Sequence, residues 1–147
     1  MIVCVHIPRF QLRVAAGGSQ ELLGRAVAIA PSGGGAMAIG EVSPSAQAQG
    51  VQAGMALDQA LGRCPKLELI PGDPVKVALG WDRAARALEG IGAQLELARP
   101  GLGYFHADGL RRIHGDERGV IAAAGKALRR PPGTQPTRPR DRRSRRP

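Results

Sequence analysis

VCVHIPRFQLRV, residues Val3–Val14, decides the reading of the fold. With Ile2 in front of it, Ile2–Ile7 (IVCVHI) is an apolar, β-branched run closed by Pro8, which predicts a buried strand. Phe10–Ala16 then has the length of a short helix and is ended by Gly17-Gly18. The chain is thus expected to open on a strand that turns through a proline into a helix.

Working outward, Ser19 is a candidate cap for a turn reaching Leu23. Ala26–Ala30 (AVAIA) and Ala36–Val42 are two further apolar runs, separated by Pro31 and the Ser32–Gly35 loop. Pro44–Gln49 reads as a helical turn stopped by Gly50. Met55–Arg63 reads as an amphipathic helix ended at Cys64-Pro65, because the residue before a proline avoids the helical region. Leu67, Leu69 and Ile70 form a short strand before Pro71-Gly72. Asp73 is a good N-cap and Pro74 suits the first helical position. Val77, Trp81, Ala84, Leu88 and Ile91 recur at helical spacing and predict a helix of about five turns with one apolar stripe. Leu95–Ala98 and Tyr104–Ala107 read as strands around an Arg99–Gly103 turn, and Gly119–Leu128 as a last, Ala-rich helix. Strands interleave with helices, so the fold class is α/β or α+β.

A chain of 147 residues fits one domain and needs no metal or disulfide staple to bury a core. Its formal charge of +9 suggests a polyanionic partner. The charge is uneven. Arg129–Pro147 holds eight Arg, five Pro and one Asp, which leaves +2 for residues 1–128. That tail has no apolar residue in its 19 positions and cannot offset its own ordering entropy, so it is expected to be disordered. The organisation expected is a folded unit over residues 1–128 and an Arg/Pro-rich tail over 129–147. The N-terminus has no basic stretch and its apolar run stops at Ile7, which argues against a signal peptide or membrane anchor and makes the cytoplasm the default location.

Local chemistry is sparse. Cys4 and Cys64 make no disulfide framework and read as buried free thiols. Gly33-Gly34-Gly35 is followed by no Gly-Lys-Ser/Thr and is a loop, not a phosphate cradle. His6 and His106 lie on predicted strands and, with Asp108, would make a two-histidine, one-carboxylate site if the sheet brought them together. Satisfied structural histidines are the simpler reading. Asp116-Glu117 reads as the start of a helix, and Arg83 and Arg86 as a solvated helix face. The tail arginines Arg138, Arg140, Arg142, Arg143, Arg145 and Arg146 are candidates for phosphate contacts that carry no sequence information.

The order of segments is more telling than any single motif. Val3–Val14, LLGRAVAIAP (Leu22–Pro31), PSAQAQGVQAGM (Pro44–Met55), LDQALGRCPKLELIPGD (Leu57–Asp73) and PGLGYFHADGL (Pro100–Leu110) together resemble the N-terminal part of the Y-family translesion DNA polymerases. The resemblance covers about residues 1–128. It implies a partial polymerase palm sheet with a small helical fingers module, and it implies DNA as a partner. Active members carry a metal-binding Asp on the first strand and an adjacent Asp-Glu pair on the second. Those positions fall at His6, Gly101 and Leu102. The fingers Tyr and Arg that meet the incoming triphosphate fall near Pro44 and Gln47. Two-metal nucleotidyl transfer needs carboxylates to hold divalent cations, and magnesium prefers oxygen ligands. The magnesium of active relatives therefore has no ligands here, and no cofactor is expected.

The sequence is accordingly most similar to the inactive, ImuB-type branch. Its members act as adaptors linking an error-prone replicative-type polymerase to the sliding clamp, associated with the nucleoid. The Arg-for-Lys bias and the Arg/Pro tail further suggest a GC-rich gene read out of frame after residue 128, and hence a truncated member. Two other readings stay open. One is a degenerate nucleotidyltransferase with residual nucleotide or metal binding. The other is a nonspecific nucleic-acid-binding module acting through the basic tail.

Overall fold

The computed structural model describes residues 1–33 and 37–129. The tail arginines from Arg138 onward, and the disorder expected there, lie outside the described residues. The chain runs β1 (Ile2–His6), α1 (Phe10–Ala15), α2 (Gln20–Leu23), β2 (Val27–Ile29), α3 (Pro44–Ala48) and α4 (Leu57–Arg63). It continues through β3 (Glu68–Ile70), α5 (Pro74–Glu89), β4 (Glu96–Arg99), β5 (Leu102–His106), α6 (Arg111–His114) and α7 (Glu117–Leu128). This is the mixed α/β architecture expected.

Two small sheets organise it. The first is antiparallel, in the order β1-β5-β4, and the second is the parallel pair β2-β3. Each sheet has its own core. Val5 and Phe105 on the first sheet pack with Trp81 and Leu88 of α5 and with Val120 and Ala124 of α7. Ala28 on the second packs with Ile39, Val42, Ala46 of α3, Ala60 of α4, and Cys64. α1 touches both α5 and β2 and so lies between the two units.

The capping chemistry follows the residue types. Asp73 accepts from the Lys76 amide at the start of α5, with Pro74 behind it. Asp116 does the same for Gly119, so α7 begins at Glu117, two residues before the expected Gly119. Ser19 caps α2 through the Leu22 amide, and Ser43 caps α3 through that of Ala46.

Several expectations are corrected. β1 is not buried on both faces. In a three-stranded antiparallel sheet covered by helices on one side, alternate residues face solvent. Val5 is therefore buried while Ile2, Cys4 and His6 are exposed. Cys4 is an exposed thiol for the same reason, whereas Cys64 is buried as expected. The run expected over Ala36–Val42 forms only isolated bridges, Ala38 with Ala56 and Val42 with Ala28, with Ala36 itself outside the described residues. The Arg99–Gly103 turn is tighter than expected, with Leu102 and Gly103 already in β5. α6, a single turn, was not anticipated. The small second unit holds its short helices together with the β2-β3 pair, in line with the strand runs read at Ala26–Ala30 and Leu67–Ile70.

Candidate functional site

β1 and β5 pair in a register that sets Ile2 against His106, Cys4 against Tyr104, and His6 against Leu102. One residue beyond, the Ile7 amide donates to the Gly101 carbonyl at 2.7 Å. His6, Gly101 and Leu102, far apart in sequence, therefore meet at one end of the sheet. His6 is exposed, Leu102 half-buried and Gly101 buried. His6 and Leu102 share the face opposite the core, since directly paired residues point the same way.

The backbone at this end is tightly constrained. Gly101 sits in the β4-β5 turn at φ 86, a left-handed conformation that glycine adopts without penalty. A Cβ placed there would lie 2.8 Å from the Phe10 Cβ and 2.9 Å from the Ile7 carbonyl oxygen. Phe10 in turn packs against Trp81 of α5, the rings tilted by 59° with their centroids 5.6 Å apart.

The second unit approaches through α3. Pro44 opens that helix and Gln47 lies on its exposed side. Gln47 is held from the sheet side. Arg9, between β1 and α1, donates through Nη2 to Gln47 Oε1 at 2.6 Å and through Nε to the Val42 carbonyl at 3.0 Å. Glu41 accepts from the Leu12 amide in the first turn of α1 at 2.9 Å. Ser43, fully buried, donates to the Arg25 carbonyl and accepts from the Val27 and Ala46 amides, locking the start of α3 onto β2. Sequence reasoning missed Arg9, Glu41 and Ser43. Only Ser43 had a local signal, as a serine directly before a proline at a helix start.

The histidine-carboxylate site considered above does not assemble. His106 pairs with Ile2, at the end of β1 opposite His6. Asp108 is taken by the N-terminal ammonium at 2.8 Å, whose hydrogen bond and charge hold its carboxyl below the usual range. His106 instead lies 3.9 Å from Glu96. That carboxylate, by hydrogen bonding and by its charge, raises the pKa of Tyr104, because ionising the phenol would set two negative charges side by side. Among the described residues no group of three His, Cys, Asp or Glu side chains is arranged to hold a metal. The donor set at the sheet end, an imidazole beside a glycine and a leucine, does not fit magnesium, which takes oxygen ligands. Among the described residues no helix is long and apolar enough to cross a membrane.

Comparison with known proteins rests on the whole fold. The model of the impB/mucB/samB family matches residues 5–131. No curated protein sequence matches the chain. The crystal structure of DinB from Sulfolobus solfataricus is 21% identical, with a TM-score of 0.73 over 86% of this chain and 37% of that one. An insertion ternary complex of Dbh DNA polymerase is 20% identical, with a TM-score of 0.73 over 86% of this chain and 38% of that one. A Y-family DNA polymerase chimera gives 20% identity and a TM-score of 0.72, over the same 86% and 38%. The chain thus spans less than two fifths of the length of the solved structures it resembles. With the family model matched from residue 5 to residue 131 on the fold of Y-family DNA polymerases, the chain belongs to the impB/mucB/samB family.

Proposed function

We propose that this chain is a non-catalytic, ImuB-type member of its family, serving as an adaptor in damage-tolerant DNA synthesis and transferring no nucleotides itself. The observation that carries this reading is the pairing of His6 with Leu102 beside Gly101. The three positions at which the resemblance expects metal-binding carboxylates lie together in space, as one site would require, and none has a carboxylate. Without those ligands the two-cation clamp on attacking and leaving oxygens has nothing to hold it. The likeness to Dbh DNA polymerase solved in a ternary complex supports DNA as a partner. The replicative-type polymerase and sliding clamp belong to the same proposal.

Primer extension tests it. Purified protein is expected to add no nucleotide to a primed template with magnesium or manganese. Reproducible incorporation that disappears in His6→Ala would overturn the reading and favour the degenerate transferase.

A further inference from the structure

The two cores meet across a narrow contact. Arg25, at one covalent crossing, pairs with Glu21 of α2 and Glu68 of β3; away from that crossing, side-chain hydrogen bonds join the units at the first residues of α1. Arg9 bonds to the Val42 carbonyl and to Gln47, and the Leu12 amide bonds to Glu41. Arg9 is the one described non-glycine residue with positive φ, at 52. An L side chain is disfavoured there, so the surrounding structure has to hold it in place. Arg9 stands at the N-cap of α1 yet gives that helix no side-chain cap, and Glu41 of the other unit supplies the acceptor. Both acceptors of the guanidinium are uncharged, so these bonds fall short of the strength of a bidentate carboxylate pair. The covalent crossings between the units, near residues 24–26 and 71–73, each contain a glycine, Gly24 and Gly72.

We propose that Arg9 and Gln47 form a releasable latch that fixes the orientation of the residue 26–70 unit against the sheet end bearing His6, Gly101 and Leu102. When the latch opens, Glu41 leaves the Leu12 amide and the unit pivots on its two crossings while each core stays packed. Strain at Arg9 favours opening, and the two guanidinium bonds favour closure.

Amide hydrogen exchange on the full 147-residue protein reads the latch at Leu12. Gln47 is exposed, so its variants leave both cores intact. Gln47→Ala is expected to speed Leu12 exchange on the order of tenfold, the worth of one hydrogen bond to a charged donor. Gln47→Glu gives Arg9 an anionic acceptor and is expected to slow it. Both effects should vanish in an Arg9→Gly background, where the backbone keeps its left-handed turn without strain and only the guanidinium is lost. The proposal is overturned if Leu12 is unprotected in the parent protein or if exchange there ignores both Gln47 variants. It is also overturned if the Gln47 effects persist in Arg9→Gly, or if Leu88 and Phe105 accelerate equally, since that would be global destabilisation.

Discussion

Gly101 shows how a single residue sets the chemistry at the sheet end. Its φ of 86 and the approach of Ile7 and Phe10 to within 3 Å of any added Cβ leave no room for a side chain. Gly101→Asp would place a carboxylate at a position where the resemblance expects one. It would also force the residue out of its left-handed turn or push backbone aside, since the blocking atoms are a carbonyl oxygen and a Cβ close to the main chain. The expected result is a loss of about 2 kcal/mol or more by denaturant titration, with no gain in magnesium affinity by calorimetry. A stable variant that binds magnesium would show that the β4-β5 turn adapts, and that the loss of the carboxylate is not built into the backbone.

At the scale of elements, α5 anchors the larger core, and its two faces differ sharply. Leu88 is fully buried among Val5, Phe105 and Val120, whereas Leu79 is 54% exposed. Leu88→Ala should cost about 2–5 kcal/mol, and Leu79→Ala should change stability by no more than about 0.5 kcal/mol. Equal effects in chemical denaturation would mean that α5 does not carry the core as packed. α5 is also where the sequence was most legible. Its N-cap, its Pro at the first position and its apolar spacing are all local signals, and Pro74–Glu89 followed them. The antiparallel register was not legible. Nothing in IVCVHI says that His6 would meet Leu102 and that His106 would sit four residues away, opposite Ile2. The exposure of Cys4 depended on that same missing fact, since a strand covered on one face cannot be told from one covered on both by a short apolar run. α6 escaped because Arg111–His114 has no cap and no periodicity over four residues. The positions His6, Gly101 and Leu102 were singled out by the order of segments across the chain and by no local motif. The Arg9 contacts span more than thirty residues and leave no local trace.

At the scale of the whole molecule, the question is what the positive charge does. Residues 1–128 carry +2 of the total +9, and Arg129–Pro147 carries the rest. Nonspecific affinity for DNA is set by how many phosphates a protein neutralises, and its logarithm falls with log salt by about 0.9 for each. If DNA is bound mainly by charge, that dependence is expected to come mostly from the tail. Replacing Arg138, Arg140, Arg142, Arg143, Arg145 and Arg146 with Gln, in the full-length chain, removes most of the tail's cations and leaves the described residues untouched. The expected outcome, by fluorescence anisotropy on duplex DNA across a salt series, is a large drop in low-salt affinity and a slope flattened by up to about 5. The alternative outcome has its own physical meaning. Affinity and slope that survive the six substitutions would move the phosphate contacts into residues 1–128. There, a net charge of only +2 would require the cations to be gathered on one surface, and the DNA interface would belong to the fold.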